Sequence, residues 1–308
     1  MVSPVPPTND GVRVRVPAKV NLALKVGPRR RDGFHPLATV YHAVSLFDEI
    51  TVNHAPPGHF SVTVTGEGAA SVPRDDSNLA MRAAKLLASS FGGESVAGVR
   101  LEIAKSIPVA GGLAGGSADG AAALVACSQL WELDLSAEQL RGVAALLGSD
   151  VPFALLGGTA LGSGRGEEVM PALARGTFHW VLGFGHQGMS TPAVYHRFDE
   201  LHPRPAAPVV PVELMEALRA GDPVALGAAL VNDLQEAAVD LQPRLGRTVS
   251  AGLELGAVGA IVSGSGPTVA FLAADEAAAI DLAVALSAEG LCRSVRRTSG
   301  PVSGARPI

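Results

Sequence analysis

The chain is organised around the segment Pro108-Val109-Ala110-Gly111-Gly112-Leu113-Ala114-Gly115-Gly116-Ser117-Ala118-Asp119. Alternating apolar residues at 99–103 precede it and an apolar run at 121–133 follows it, which predicts a strand, a glycine-rich loop and a helix. Glycines let backbone N–H groups approach a ligand closely, and the unpaired N–H groups at a helix start favour negative charge. Four glycines between positions 111 and 116 are costly in backbone entropy for a turn alone. The segment therefore predicts a phosphate-binding loop, with a tight packing turn as the alternative.

Two widespread phosphate motifs do not describe this loop. No three of its glycines have the Gly-x-Gly-x-x-Gly spacing of dinucleotide-binding folds. Gly111 and Gly116 have the spacing of the P-loop motif, but Ser117 stands where that motif requires Lys. Neither a Rossmann nor a P-loop site is predicted.

Hydrophobic periodicity predicts strands and helices on both sides of the loop. Strands are predicted at residues 12–16, 20–26, 50–52, 61–65, 99–103, 178–184, 260–262 and 269–273. Helices are predicted at residues 77–90, 136–148, 212–220, 223–239 and 276–289. The pattern indicates an α+β protein with two closely packed domains, residues 1–163 and 164–308, divided at the glycine-rich stretch 157–166.

Local signals mark several ends of these elements. Ser77 is predicted to cap the first helix and Gly92 to stop it, while Ser136 and Gln139 have the spacing of a capping box. Pro17 is predicted to separate the first two strands. Residues 1–10 and 301–308 show no periodic apolar face and are predicted to be loose tails.

Composition excludes several classes of partner. The 308 residues include 24 Lys and Arg against 29 Asp and Glu, a net charge of −5 at pH 7. Nucleic acids and anionic membranes are bound mainly through clustered cations, and the densest cluster, Arg29 to Arg31, is too small for either. The most apolar segment, residues 143–161, is interrupted by polar residues and Pro152, so it does not predict a membrane span.

The two cysteines, Cys127 and Cys292, have no neighbours at metal-ligand spacing and do not predict a disulfide framework. The stretch from Met1 to Asp10 lacks the pattern of a secretory signal. A cytoplasmic location is therefore predicted.

Two charged residues are candidates for chemistry. Asp150, in the segment Gly148-Ser149-Asp150-Val151-Pro152-Phe153, is most simply the cap of a short helix, although capping does not exclude catalysis. A carboxylate in so apolar a neighbourhood requires a partner, and Lys19 is the candidate cation. Lys19 shares a strand face with Asn21, and its alternative is a solvated edge residue.

A second small-residue loop, Ser263-Gly264-Ser265-Gly266-Pro267-Thr268, lies between two predicted strands. It is interpreted either as a hairpin turn or as a second loop that approaches a ligand.

Together these motifs resemble the GHMP family of small-molecule kinases. The resemblance extends from about residue 12 to about residue 296 and rests on Pro17-Ala18-Lys19-Val20-Asn21-Leu22, Asp32-Gly33-Phe34-His35, residues 108–118, residues 148–153, Asn232-Asp233-Leu234 and Gly264-Ser265-Gly266-Pro267-Thr268. Several motifs in one order are more specific than any one of them. The resemblance implies a two-domain α+β fold with a ribosomal-protein-like N-terminal half, a ferredoxin-like C-terminal half and an active site between them.

The resemblance also implies an ATP-dependent reaction: phosphorylation of the 2-hydroxyl of a cytidine-diphosphate-linked methylerythritol. In it, Asp150 accepts the hydroxyl proton and Lys19 keeps Asp150 ionised while orienting the hydroxyl. ATP is expected to bind the loop from Pro108 to Ala118 and Lys105, a plain surface Lys being the alternative for Lys105. Mg²⁺ is the expected cofactor, with Ser117 as its candidate ligand.

For the substrate, the resemblance places His35 against the cytosine and Tyr195 on the other cytosine face. The remaining predicted substrate contacts are Asn21, Phe34, Thr191, Gly264 and Ser265. The chain departs from the commoner family pattern at four positions, with Phe34 for Tyr, Ala114 for Gly, Ala118 for Ser and Asp119 for Asn. None of these changes removes a proposed catalytic group.

Three alternatives to this function remain open. One is a GHMP kinase acting on another polyol or sugar alcohol, which would not require cytidine in its substrate. Another is a nucleotide-binding protein without catalysis, against which the presence of both Lys19 and Asp150 argues. A structural or interaction protein would leave the glycine-rich loop unexplained. Monomer and homodimer are both compatible with the sequence.

Overall fold

The computed structural model describes residues 11–91 and 98–308. In this part of the chain a sheet of eight strands has the order β12-β1-β2-β4-β3, with β5 and β6 attached through β2, and β8 through β1. Its strands are β1 (Val12–Val26), β2 (Leu37–Ala55), β3 (Phe60–Gly66), β4 (Gly98–Lys105), β5 (Thr159–Ser163), β6 (Glu168–Pro171), β8 (Val231–Asn232) and β12 (Arg306–Pro307). A second, antiparallel sheet has the order β11-β7-β10-β9, formed by β7 (Phe178–Phe184), β9 (Gly259–Val262), β10 (Val269–Ala273) and β11 (Ser294–Gly300).

The helices of the first half are α1 (Leu79–Phe91), α2 (Gly115–Leu130), α3 (Ala137–Leu147) and α4 (Val151–Leu156). Those of the second half are α5 (Thr191–Leu201), α6 (Val212–Ala220), α7 (Pro223–Ala229), α8 (Gln235–Leu241), α9 (Arg244–Glu254) and α10 (Glu276–Ala288). The α+β prediction is confirmed. Within the ranges given above, none of the helices combines the length and apolar character needed to cross a bilayer.

Helix α2 is the centre of the first half. It is buried around most of its circumference, and its buried residues are mainly Ala, from Ala118 to Ala126. A helix that is apolar on all sides belongs in a core, and small side chains let its neighbours come close. It packs against β1, β2 and α1, so the packing fixes where the helix begins and thus where the glycine-rich loop ends.

Several predicted elements differ from the structure. The two predicted strands at 12–16 and 20–26 are one strand, because the pairing with β2 shifts register between Pro17 and Ala18. A bulge at this point accommodates a residue that has no N–H to donate. The predicted helix at 223–239 is interrupted by β8, which pairs in parallel with β1.

Predictions about the chain ends also differ. Residues 301–308 are not loose, because β12 pairs with β1 and the backbone N–H of Ile308 donates to Arg13. Asn78, not Ser77, caps α1, with its Oδ1 accepting from the N–H groups of Ala80 and Met81 at 2.9 and 3.3 Å. The predicted stop at Gly92 and the predicted tail at residues 1–10 lie outside the described residues. The Ser136–Gln139 capping box is confirmed.

The sheets do not divide where the predicted domain boundary lies. The hairpin of β5 and β6 crosses residue 163 within the first sheet, and the second sheet begins with β7 at Phe178. The chain then returns to the first sheet through β8 and β12. The division at residue 163 therefore stays a prediction about domains.

Burial lowers the pKa of His42 to about 3, because an imidazolium there would be desolvated. Its Nδ1 pairs with the Thr159 hydroxyl at 2.8 Å. The ordinary pKa of histidine is 6.5. Between about pH 6.5 and pH 3, therefore, His42 is protonated in the unfolded chain but neutral in the folded chain. We expect this group to cost the fold about 1.4 kcal/mol per pH unit as the pH falls through this window.

Urea unfolding at a series of pH values measures this effect. His42→Phe should flatten the pH dependence, while the same change at the exposed His59 should leave it as in the native chain. An unaltered slope in His42→Phe would contradict the assignment.

Candidate active site

A cavity of about 890 Å³ is lined by residues from both halves of the chain. Most of the predicted site residues line it: Lys19, Asn21, Phe34, His35, Lys105, Pro108, Val109, Ala110, Gly111, Gly112, Ala114, Gly115, Gly116, Ser117, Asp150, Thr191, Tyr195, Gly264 and Ser265. Leu113 and Ala118, which belong to the predicted ATP loop, point their side chains into the core, where each is 1% exposed, and their contact with ATP stays a prediction about the backbone.

The Lys19 ammonium lies 3.8 Å from Asp150 Oδ2, which meets the prediction that the two side chains are neighbours. Lys19 is buried, and its Nζ also donates to Asn21 Oδ1 at 2.6 Å. The amide of Asn21 is fixed in turn, because its Nδ2 donates to the Thr39 hydroxyl at 2.9 Å and that hydroxyl donates to the Ala23 carbonyl. This chain of hydrogen bonds keeps an oxygen, and not the NH₂ group, toward the ammonium.

Asp150 stands at the N-cap position of α4, but its side chain makes no capping hydrogen bond. Its backbone is helical, with φ −88° and ψ −9°, which is not the extended conformation of a capping residue. The prediction that it caps the helix is therefore wrong for the side chain. The carboxylate faces Lys19 and lines the cavity.

The glycine-rich loop runs straight into helix α2. Its last residue, Ala114, has a left-handed backbone with φ 59° and supplies no side-chain cap, so the first N–H groups of α2 are not satisfied by a capping side chain. Gly would adopt this left-handed conformation without the steric cost that Ala114 meets there. Gly115, Gly116 and Ser117 line the cavity, so this helix start is directed at it.

The loop at 263–268 packs against the glycine-rich loop and holds it. The Ser263 hydroxyl donates to the Gly112 carbonyl at 3.1 Å, and the Thr268 N–H donates to the Gly111 carbonyl at 3.3 Å. Gly112 has φ 78°, and a Cβ there would collide with the Ser263 carbonyl. Both interpretations of this loop hold. It is the turn of the antiparallel β9–β10 hairpin, with the Ser263 N–H donating to the Thr268 carbonyl at 2.9 Å, and its Gly264 and Ser265 line the cavity.

Lys105 is not a surface residue. Its ammonium donates to Asp48 Oδ2 at 2.5 Å and to Asp119 Oδ2 at 2.8 Å, and all three side chains are buried. Asp48 Oδ1 also accepts from the backbone N–H groups of Ser106 and Ile107 at 2.6 and 2.9 Å. The three side chains thus connect the middle of β2, the entry to the glycine-rich loop and the helix that leaves it.

The triad of Lys105, Asp48 and Asp119 shifts the pKa values of two of its members. Burial works against the ammonium, but the two carboxylates outweigh it and raise the pKa of Lys105. The pKa of Asp119 is raised to about 8, because burial, reinforced by Asp48, outweighs the attraction of Lys105. Among the described residues, Asp119 Oδ1 has no hydrogen-bond partner. Lys105 thus pairs with two buried carboxylates while lining the cavity, and its contact with the nucleotide stays a prediction.

Aromatic side chains form the opposite end of the cavity. His35 stacks on Tyr195 with ring centroids 5.1 Å apart, and Phe198 meets the His35 ring edge-on. A base lying between two rings would need them roughly 7 Å apart, so His35 and Tyr195 do not enclose a slot for one, contrary to the expected arrangement. Phe34 is half exposed and lines the cavity beside them.

Sequence reasoning missed several residues of the site. Asp199, on α5, accepts from His35 Nε2 at 2.7 Å. Tyr41 lies under Lys19, with the ammonium 5.7 Å from its ring centroid, and burial together with the charge of Asp150 raises its pKa well above the ordinary value. Arg165 lines the cavity next to Phe34. These side chains come from distant elements, and only the tertiary fold brings them to the cavity.

Models of the GHMP kinases N terminal domain and of the GHMP kinases C terminal domain match residues 78–158 and 214–291. The chain is 54% identical over 308 residues to a 4-diphosphocytidyl-2-C-methyl-D-erythritol kinase of Mycolicibacterium smegmatis, covering 98% of this chain and 94% of the relative. It belongs to the GHMP kinase family. A relative of the same name from Nocardia farcinica is 52% identical over 310 residues and covers 100% of this chain and 99% of its own.

Solved structures agree with this assignment. A crystal structure of a 4-(cytidine 5'-diphospho)-2C-methyl-D-erythritol kinase is 34% identical, with a TM-score of 0.75 over 93% of this GHMP kinase and 98% of that chain. A homoserine kinase from Cytophaga hutchinsonii, at 18% identity, has a TM-score of 0.76 over 100% of both chains and shows the shared fold. A GHMP kinase transfers phosphate from ATP to a small molecule.

Proposed function

We propose that this GHMP kinase transfers the γ-phosphoryl group of ATP to the 2-hydroxyl of 4-diphosphocytidyl-2-C-methyl-D-erythritol, a step in the non-mevalonate synthesis of isoprenoid precursors. The observation that carries the proposal is the cavity itself, which joins the Lys19–Asp150 pair, the loop before α2 and a pocket of aromatic side chains. The names of the relatives that share over half of its sequence support the same substrate.

In the proposed reaction Asp150 accepts the proton of the 2-hydroxyl as the new O–P bond forms. Lys19, held by Asn21, stabilises the carboxylate and orients the hydroxyl through its remaining N–H groups. The N–H groups at the start of α2 attract the triphosphate, because they carry the positive end of the helix dipole. Positioning and electrostatics supply most of the catalysis in phosphoryl transfer.

Mg²⁺ is proposed as the cofactor, and the residues at the start of α2 fit it. Mg²⁺ prefers oxygen ligands and is commonly held by one or two carboxylates together with substrate phosphates and water. Ser117 offers a hydroxyl in the cavity, and Asp119 offers the carboxylate oxygen that has no partner among the described residues. When bound, the ion neutralises charge on the phosphates; Ser117 and Asp119 are the side chains that would hold it.

Cytosine recognition is proposed to depend on the edge of His35. The Asp199 carboxylate accepts from Nε2, and an ionised carboxylate only accepts, so Nε2 carries the proton. In the neutral ring Nδ1 is then an acceptor, which suits the amino group of cytosine and not the carbonyl oxygen of uracil. Asp199 is thus a positioning residue that sets the tautomer of His35.

Replacing Asp199 by Asn is expected to raise KM for the cytidine substrate about tenfold with little change in kcat, since one hydrogen bond of the bound state is lost. An amide that donates to Nε2 would reverse the tautomer, so the preference for cytidine over the uridine-linked analogue should also fall. Steady-state kinetics with both substrates measures this ratio.

The control is Glu236→Gln, which alters the His202–Glu236 pair, 3.0 Å long and outside the cavity. It should change neither constant. An Asp199→Asn enzyme whose KM rises equally for the cytidine and uridine compounds would show a structural role only.

The proposed function is tested by ADP release from Mg-ATP in the presence of 4-diphosphocytidyl-2-C-methyl-D-erythritol, with the cytidine-free methylerythritol phosphate as a control. Turnover that requires the cytidine compound supports the proposal. Turnover with the control alone would assign another polyol substrate, and ATP binding without turnover of either compound would leave a nucleotide-binding protein. The proposal places the reaction in the cytoplasm, where ATP is available.

A further inference from the structure

Arg165 stands in the turn that joins β5 to β6, and two contacts fix its guanidinium. Its Nε donates to Glu167 Oε1 at 3.2 Å, and its Cζ lies 5.0 Å from the centroid of the Phe34 ring. Glu167 is fixed as well, since its Oε2 accepts from the backbone N–H of Arg165 at 2.6 Å. Burial opposes the charge of Glu167, but these hydrogen bonds outweigh it and lower the pKa of the carboxyl.

These contacts use Nε and the face of the guanidinium, and they leave the two terminal nitrogens of Arg165 available to a ligand. Within residues 11–91 and 98–308, no hydrogen bond or ion pair engages either of them, and the side chain lines the cavity at 38% exposure. A guanidinium whose plane is already held loses little rotamer freedom when it binds a ligand. Its two free N–H edges match the geometry of a phosphate.

The position of Arg165 along the cavity indicates which part of a bound substrate it would contact. On one side it covers Phe34, which precedes His35 in the aromatic pocket. On the other side the next residue, Gly166, packs beside Ser149, the neighbour of Asp150: a Cβ on Gly166 would lie 3.7 Å from Ser149 Cβ. Arg165 therefore lies between the end of the cavity that suits a base and the end that holds the proposed proton acceptor.

The proposed substrate has the same order of parts, because its diphosphate joins the cytidine to the methylerythritol that carries the reacting hydroxyl. We infer that Arg165 binds this diphosphate with its two terminal nitrogens while Glu167 and Phe34 hold the guanidinium in place. The inference rests on the proposed function and adds a binding residue for the substrate. The triphosphate of ATP is the other source of the same chemistry, and the experiment separates the two.

Arg165→Met keeps a side chain of similar length against Phe34 and removes the charge and the donors. We expect it to raise KM for the cytidine substrate by about 10- to 100-fold while kcat and KM for ATP change less than about threefold. Arg165→Lys keeps the charge but not the planar pair of donors, so its KM for the cytidine substrate should lie between those of the native chain and Arg165→Met. Arg175→Met, at an exposed arginine outside the cavity, is the control and should behave like the native chain.

Calorimetry with CDP and with cytidine tests binding apart from catalysis. The native chain should bind CDP more tightly than cytidine, and Arg165→Met should lose most of that difference while keeping its affinity for cytidine. Thermal unfolding of each variant tests whether it is folded. If Arg165→Met is not folded, Arg165→Lys replaces it in the calorimetry.

Two results would overturn the inference. One is an unchanged KM for the substrate in a folded Arg165→Met enzyme that still turns over. The other is a rise in KM for ATP with none for the substrate, which would move the contact to the triphosphate. Failure of the native chain to phosphorylate the cytidine compound is a different result, because it overturns the proposed function itself.

Discussion

Replacing Asp150 by Asn is expected to lower kcat about 10²- to 10⁴-fold and to leave the affinity for ATP nearly unchanged. The amide cannot accept the hydroxyl proton, and general-base catalysis contributes rate factors of about this size. The fold should tolerate the change, because the Asp150 side chain caps no helix and Lys19 keeps its hydrogen bond to Asn21. ADP release measures kcat, and calorimetry with a non-hydrolysable ATP analogue measures nucleotide binding.

Asp281→Asn is the matched control, since Asp281 is exposed on α10 and lies outside the cavity. It should keep native turnover. Lys19→Met should also lower kcat far more than it lowers ATP affinity, because it removes the cation that faces the carboxylate. A fall of less than about tenfold in Asp150→Asn would contradict the role of Asp150 as base and leave it an orienting role at most.

Signals that act within one element were predicted well from the sequence. The capping box of Ser136 and Gln139, the strand Phe178–Phe184 and the helix Val212–Ala220 depend on neighbouring residues, and the structure has all three. Elements whose cause lies elsewhere in the chain were missed. Strand β8 interrupts a helical pattern because β1 offers it a partner, and Asn232 within it donates to the Val262 and Gly264 carbonyls at 2.7 and 2.8 Å.

In the site, too, residues that belong to local motifs could be predicted from the sequence, and residues brought there by the tertiary fold could not. The residues of the glycine-rich loop and the Lys19–Asp150 pair could be named from motifs, because each motif has a fixed spacing. Asp199 and Arg165 could not, since one stands on an amphipathic helix and the other in a turn, where charged residues are ordinary. Lys105 was named without its two ion-pair partners, because nothing near it in the sequence shows that Asp48 and Asp119 enclose it.

Because Asp48 and Asp119 enclose Lys105, replacing Lys105 is expected to have the largest effect on stability. Lys105→Met is expected to lower the free energy of unfolding by about 3–5 kcal/mol, the usual cost of removing one partner from a buried ion pair. Met keeps most of the volume of the side chain, so the loss comes chiefly from Asp48, whose carboxyl is 0% exposed and would lose its ion-pair partner. Urea unfolding measures the change as a lower midpoint with an unaltered m-value.

Lys85→Met is a close control, because Lys85 also pairs with an aspartate at 2.5 Å, but on the surface, where Asp76 is 78% exposed. Exposed pairs contribute about 0–1 kcal/mol, so this variant should unfold almost as the native chain does. Should Lys105→Met not fold at all, Lys105→Met combined with Asp48→Asn removes the buried carboxylate that lost its partner and should recover part of the stability. A loss below about 1 kcal/mol in Lys105→Met would mean that the backbone N–H groups of Ser106 and Ile107 satisfy Asp48 without the ammonium. The triad would then not be what anchors the loop to the sheet.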